Sequence, residues 1–454
     1  MAAHPIDYRY GSLEMREVWE EERRLGYYLK VEAALTNALA RMGKIPEEAA
    51  SEISLKADSK TVTLSRVREI EAETRHDVMA MVKALTEQCG DAGKFVHLTA
   101  TSYDIVDTAQ ALQLGESLSL ISQKSRKLLK TLLALSEKHK NLVMAGRTHG
   151  QHALPITLGF KFANYADKLG QDIANAEWDR DNLVVGKFSG AVGTYSAQKL
   201  LGISGTKLEG AVMAELGLKP ASISTQVVGR EGVARIVSDV AILASTLEQI
   251  AAEIRNLQRT EIAEVGEPFG KSQVGSSTMA QKRNPVDCEN VCGNARVVRG
   301  CVAPALENIA LEHERDLTNS AAERSILPTV FLLTDEMLER MERVLSGLAV
   351  FPERMERNLQ LTHGAIMAEA VITELVKKGM GRLEAHEIMR LASHEAMAKE
   401  TPLKDVLLSN AKVKAKFSSR EIDALLDYRS YTGAAGEKVG EIAGKWNEFL
   451  KRGK

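Results

Sequence analysis

The chain has 454 residues, 44% of them hydrophobic, which at roughly 150 residues per domain suggests about three domains with a large core. Lys plus Arg number 59 and Asp plus Glu 61, a formal net charge of −2, so nothing in the balance marks a nucleic-acid or anionic-membrane binder. "MAAHPIDYRYGS" lacks an apolar core of signal-peptide length, no run of about 18 apolar residues follows, and Cys89, Cys288, Cys292 and Cys301 are too few for a disulfide framework; a cytoplasmic protein with reduced thiols is expected.

Aromatics are only 5%, and Ala, Leu, Glu, Lys and Arg dominate, which predicts an all-α fold. Up to residue 107 the pattern gives shorter helices, broken near "GKIPEE" and "CGDAGKF". Thr101-Ser102 followed by Asp104 and Asp107 reads as a helix start, with hydroxyls to cap and acids at the positive end. From Thr108 to about Lys140, Leu114, Leu118, Ile121, Leu128, Leu132 and Leu135 mark a long helix. After Pro155, Leu158, Phe162, Tyr165 and Leu169 mark another. "GKFSGAVGTYS" (Gly186–Ser196) is the plausible non-helical patch of this middle region.

Beyond Gly232, the residues Val233, Ile236, Val240, Leu243, Leu247, Ile250, Ile254 and Leu257 form a heptad seam that no Gly or Pro breaks before Gly266. Such a helix is on the order of 45 Å long, too long for a compact small domain. Pro285 reads as the first residue of a further helix with Asn284 as its cap, and one more follows Pro328. Long helices of this kind argue for a bundle. After Phe351-Pro352 the helices shorten again, interrupted by "ETPLKDV" and "DYRSYTGAAGEK". The expected domains are residues 1–107, a central long-helix bundle at 108–350 and a helical domain at 351–454.

Polar islands interrupt this pattern beside the long helices: "YRYG", "ETRHD", "HLTATSYDIVDTA", "GRTHGQH", "STQ", "GSSTMAQKRNP" and "HERDLTNSAAER". Taken singly, several have structural readings, such as a helix start or a solvated helix face. Cys288 and Cys292, or His149 and His152, lack the further ligands a metal site needs. "GSSTMAQKRNP" at 275–285 resists such a reading. Gly275 permits unusual backbone shapes, Ser276 and Ser277 have nothing to pack, and Lys282 precedes a helix whose free N–H groups favour an anion.

"GSSTMAQKRNP" resembles the signature loop of the fumarase/aspartase superfamily. "TRHD", "TSYDIVDTA", "GRTHGQHALPITLG", "ISTQ", "HERDLTNSAAER" and the "HPIDYRYGS" start resemble its adenylosuccinate lyase family, in order and over most of the chain. The sequence departs from that family at Ala280, where Pro is usual, at Gln281, where His is usual, and at Thr99, where Gly is common. The resemblance implies a homotetramer whose central helices form one shared bundle, with each active site built from three subunits. It implies β-elimination of fumarate from adenylosuccinate, giving AMP, and from succinyl-aminoimidazole carboxamide ribotide (SAICAR), giving AICAR.

In that resemblance Ser276, in the loop at 272–285, is the base. Flanking N–H groups, a helix N-terminus and Lys282 would stabilise its alkoxide. His149 is the acid, with His76 a second candidate near the leaving group, and Glu289 orients His149. Lys282 and Asn284 hold the charged intermediate, and Thr101 and Ser102 bond a succinyl carboxylate. Arg9, Tyr10, Ser320 and Arg324 hold phosphate, and Arg315 and Arg75 lie near ribose or carboxylate. Asp77, His97, Gln226 and Ser277 complete the set. No cofactor, metal, nucleic-acid or membrane partner is expected. The alternatives are another lyase or a carboxymuconate cycloisomerase-like enzyme of the superfamily, and a non-catalytic structural relative.

Overall fold

The computed structural model describes residues 6, 8–270, 272 and 275–452. The fold is all-α, with three two-stranded sheets of short strands among the described residues. Two compact units form, each from three stretches of chain. One comprises 1–125, 172–247 and 293–339, and the other 126–171, 248–292 and 340–454. Among the described residues, five helices, Ser102–Lys138, Leu158–Asn182, Glu231–Leu257, Val286–Gly300 and Thr318–Ser346, contribute residues to both.

The seam after Gly232 lies on the helix Glu231–Leu257. Its members from Ile236 to Leu257 are all buried, as a stripe facing a core must be. The helix stops at Leu257 rather than running toward Gly266. There the chain turns, and the Glu264 amide donates to the Leu257 carbonyl at 2.9 Å. Likewise, Leu114, Leu118, Ile121, Leu128 and Leu132 of Ser102–Lys138 are buried. The patch at Gly186–Ser196 is indeed non-helical up to Ser196, where a short helix begins.

Two elements differ from expectation. The last long helix begins at Thr318, not after Pro328, which lies inside it. Proline keeps a helical φ and costs one N–H, so ten preceding residues with alanines and Glu323 could still wind. And "NLVMAGRTHGQHALPIT" is a β-hairpin, Val143–Thr148 against Gln151–Thr157. Its turn is His149-Gly150, both with positive φ (53° and 75°), the backbone that a two-residue hairpin turn demands.

In the first unit, the helices Glu21–Arg41 and Asp77–Gln88 pack Leu29, Leu35, Leu39, Met81 and Leu85 into one core. In the second, a core around Leu375, Met389, Leu403 and Val413 gathers the short helices beyond Pro352. The helix Ala435–Lys451 is fixed there by Trp446, whose Nε1 donates to Asp167 at 2.7 Å.

Candidate active site

The first unit brings several polar islands together. "TRHD" forms the link between the helices Leu64–Thr74 and Asp77–Gln88. Arg75 is exposed there at φ 51°. His76 caps the second helix, its Nδ1 accepting from the Met79 amide at 3.3 Å. With Nδ1 an acceptor, the neutral ring carries its hydrogen on Nε2. Asp77 pairs with Arg324 at 2.9 Å, joining this motif to "HERDLTNSAAER". Ser320 and Arg324 line a cavity of about 110 Å³ with Arg24, Tyr28 and Tyr103.

The start of Ser102–Lys138 is organised by a buried carboxylate. Asp104 is fully buried and meets the equally buried Lys187 ammonium at 2.5 Å. It also accepts from the Ser189 amide at 3.1 Å and the Thr101 amide at 2.8 Å. Asp104 therefore does the capping that the hydroxyls were expected to do. Among the described residues, no hydrogen bond engages the Thr101 or Ser102 hydroxyl. One turn on, Asp107 holds the buried Arg230 through two contacts, 2.7 and 3.0 Å, and Arg230 meets Glu323 at 2.8 Å.

Gln226 and Arg315 meet directly. The Arg315 guanidinium donates to Gln226 Oε1 at 2.6 Å, and Gln226 Nε2 donates to the Ala191 carbonyl at 2.9 Å. His97 has φ 60°. Its Nδ1 lies 2.6 Å from a carboxylate oxygen of the buried Glu32, and its amide donates to the other oxygen at 3.0 Å. Burial alone would depress the ring's pKa, but the Glu32 hydrogen bond and charge outweigh it and the pKa is raised. Arg9 and Tyr10 occupy a turn, with the Tyr10 carbonyl accepting from Arg16 Nε at 2.9 Å. His4, Pro5 and Asp7 of "HPIDYRYGS" lie outside the described residues.

The second unit holds the remaining candidates. His149 is exposed at the hairpin tip. Two residues before it, Arg147 makes a two-point pair with the buried Glu264 at 2.7 and 2.8 Å, and Asn358 donates to the same carboxylate at 2.8 Å. The loop 272–285 is described at 272 and from 275 onward, with 273 and 274 outside the described residues. Ser276 Oγ accepts from the Met279 amide at 3.0 Å and the Thr278 amide at 3.3 Å. Both donors follow Ser276 in the loop. Ser277 follows, exposed.

Asn284 closes the loop by donating to the Gly275 carbonyl at 3.0 Å. It does not cap the helix Val286–Gly300. Glu267 does so, accepting from the Cys288 amide at 2.7 Å and the Asp287 amide at 3.3 Å. Those two N–H groups are thus not open to a ligand carboxylate, because a protein carboxylate fills the place. Lys282 is exposed and makes no ion pair among the described residues. With Arg255, Arg259, Arg283, Asn284 and Glu289, it lines a cleft of about 1310 Å³. No hydrogen bond or ion pair joins Glu289 to His149 within the chain, among the described residues.

Five non-glycine residues of these islands, Arg75, His97, Thr99, His149 and His313, have φ between 50° and 68°. Left-handed backbone costs about 1–2 kcal/mol per L-residue, and such strain gathers at functional sites. Sequence reasoning missed Glu32, Lys187 and Glu267. Each acts on a partner at least 20 residues away, and no local pattern carries that; Lys187 inside "GKFSGAVGTYS" was the nearest to a visible signal.

A family model described as lyase matches residues 9–300, and one described as adenylosuccinate lyase C-terminus matches residues 364–442. The adenylosuccinate lyase of Pyrococcus abyssi is 50% identical, with all of both chains covered. That of Methanothermobacter thermautotrophicus is 47% identical, covering 98% of this chain and 100% of its own. Among solved structures, a fumarate lyase from Mesorhizobium sp. BNC1 superposes with a TM-score of 0.89 at 33% identity, over 98% of this chain and 99% of that one. The 3-carboxy-cis,cis-muconate lactonizing enzyme of Pseudomonas putida gives 0.89 at 31% identity, with 98% and 99% covered. From its first motif to its last helices, this chain belongs to the adenylosuccinate lyase family.

Proposed function

We propose that the protein is a C–N lyase that eliminates fumarate from adenylosuccinate, leaving AMP, and from SAICAR, leaving AICAR. Supporting this is Ser276 Oγ, gripped by two backbone N–H groups in a chain whose full-length relatives carry that enzyme's name. Ser276 removes the proton beside a succinyl carboxylate. Negative charge passes onto that carboxylate, where Lys282 and Asn284 oppose it. The C–N bond then breaks, and the imidazolium form of His149, or of His76, gives its proton to the leaving nitrogen and becomes neutral imidazole.

Thr101, Ser102 and Ser277 offer hydroxyls to the succinyl end. Arg9, Tyr10, Ser320 and Arg324 take phosphate, Arg315 and Arg75 take ribose or carboxylate, and Asp77, His97 and Gln226 hold these groups in place. Glu289, without a contact to His149 in its own chain, orients the His149 of another copy. This belongs with a homotetramer in which three subunits build each site and the central region, 108–350, supplies the shared helices between the regions 1–107 and 351–454. No described helix is long and apolar enough to cross a membrane, which accords with a place in the cytoplasm.

The test is to mix purified protein with adenylosuccinate and follow its absorbance. Conversion to AMP and fumarate is expected, and an inert protein would remove the substrate assignment. The likeness to the Pseudomonas putida lactonizing enzyme favours a second reading, a carboxymuconate cycloisomerase. Turnover of 3-carboxymuconate in place of adenylosuccinate would establish it.

A further inference from the structure

We propose that Tyr103 is a positioning residue for this site: its ring is the platform that orients Arg315 toward the substrate. The inference rests on the reading above. Arg315 lies in a turn rather than a helix, its amide donating to the Glu312 carbonyl at 3.1 Å. Its long side chain is therefore not ordered by its backbone. Two contacts order it. Gln226 accepts from one terminal nitrogen, and the Tyr103 ring centroid lies 3.7 Å from the guanidinium carbon, close enough for planar stacking on the ring's negative face.

The platform is itself rigid. Tyr103 is 4% exposed and stands in the first turn of Ser102–Lys138, next to the substrate hydroxyls of Thr101 and Ser102. A second guanidinium, Arg230, lies 6.0 Å from the same ring, locked by Asp107 and Glu323. The ring is thus associated with one fixed cation and one that must be held ready. Arg315 Nε–H is buried and finds no acceptor among the described residues, so the Tyr103 ring and Gln226 are the contacts that fix the head. Tyr103 also lines the cavity of Ser320 and Arg324, so the platform stands beside the group assigned to phosphate.

The test is steady-state kinetics with adenylosuccinate. Tyr103→Leu is expected to raise KM roughly ten-fold, the worth of a partly desolvated cation–π contact, with a much smaller change in kcat. Tyr103→Phe, which keeps the ring, restores the wild-type KM. In an Arg315→Ala background, Tyr103→Leu adds nothing, because its effect passes through Arg315. Equal losses in the Phe and Leu variants, or independent multiplicative losses in the double variant, would overturn the proposal. If the Leu variant does not fold, Tyr103→Met fills the space without a ring. If wild type does not cleave adenylosuccinate, the functional reading fails alone. Crystal structures of the Phe and Met variants then decide the platform: Arg315 keeps its place over Phe and loses it over Met, and an unmoved Arg315 in both refutes it.

Discussion

Thr99 stands where the family commonly has glycine, and its φ of 68° is one that a β-branched residue avoids. Replacing it by glycine should therefore stabilise the protein, and the size of the effect can be worked out. Left-handed backbone costs an L-residue about 1–2 kcal/mol. Thr99 Oγ1 is also buried without a hydrogen bond, a burden of about 1–3 kcal/mol. Against this, glycine gives the unfolded chain about 0.4–1 kcal/mol of extra freedom and removes one methyl whose burial is worth about 1 kcal/mol. The balance runs from about 0 to 3.6 kcal/mol in favour of Thr99→Gly, about 2 kcal/mol at the midpoints. The bond from Gln198 Nε2 to the Thr99 carbonyl, 3.2 Å, survives the change. Urea unfolding at fixed protein concentration reads the effect as a higher midpoint with an unchanged slope. Thr99→Ala, which loses the orphan hydroxyl but keeps the strained backbone, falls between the two. A glycine variant less stable than wild type would refute the argument from strain.

His97 and Gly275 give two further tests. Because the Glu32 carboxylate raises the folded pKa of His97 against its burial, the charged ring contributes stability in full below about pH 6.5, the usual unfolded value, and that contribution fades as pH rises through the folded value. The gap in unfolding free energy between wild type and His97→Gln should shrink from acid to alkaline pH; a gap that widens contradicts the pairing. At Gly275, a Cβ would lie 1.9 Å from the Lys282 carbonyl oxygen. Gly275→Ala must therefore open the loop that Asn284 closes. Turnover is expected to fall by up to about a hundred-fold, the scale of displacing catalytic groups by about 1 Å, while the urea midpoint moves little. Full activity in that variant would show that the loop's closed shape is not the working one.

The long helices were legible because their signal is local and repeated. Leu114 to Leu132 and Ile236 to Leu257 recur at helical spacing, and burial followed that spacing. The hairpin at 143–157 was not legible, because its strands are short, one carries Pro155, and the His-Gly turn looked like one more polar island. The long helix around Pro328 was misplaced for a related reason. Proline usually marks an end, and only packing along Thr318–Ser346 keeps the helix going through it.

At the candidate site, the resemblance of the motifs singled out Ser276, His149 and Lys282, of which His149 and Lys282 stand exposed and Ser276 is half-buried. Their supports were not legible. Glu267 answers a helix end 20 residues away, Glu32 answers His97 across 65, and Lys187 answers Asp104 across 83. Such pairings exist only once the fold has formed. Asn284 shows the complement: a residue suited to a helix cap instead ties the loop to Gly275, because Glu267 already occupies the cap.

In the proposed enzyme, the Ser276 hydroxyl and the His149 imidazole that meet around one substrate come from different copies of the chain. Ser276→Ala and His149→Ala are each expected to lose turnover on their own. Mixed and allowed to exchange subunits, they should regain a measurable fraction of wild-type activity, since some shared sites then receive an intact serine from one copy and an intact histidine from another. A mixture no more active than either variant, with exchange verified, would contradict the account.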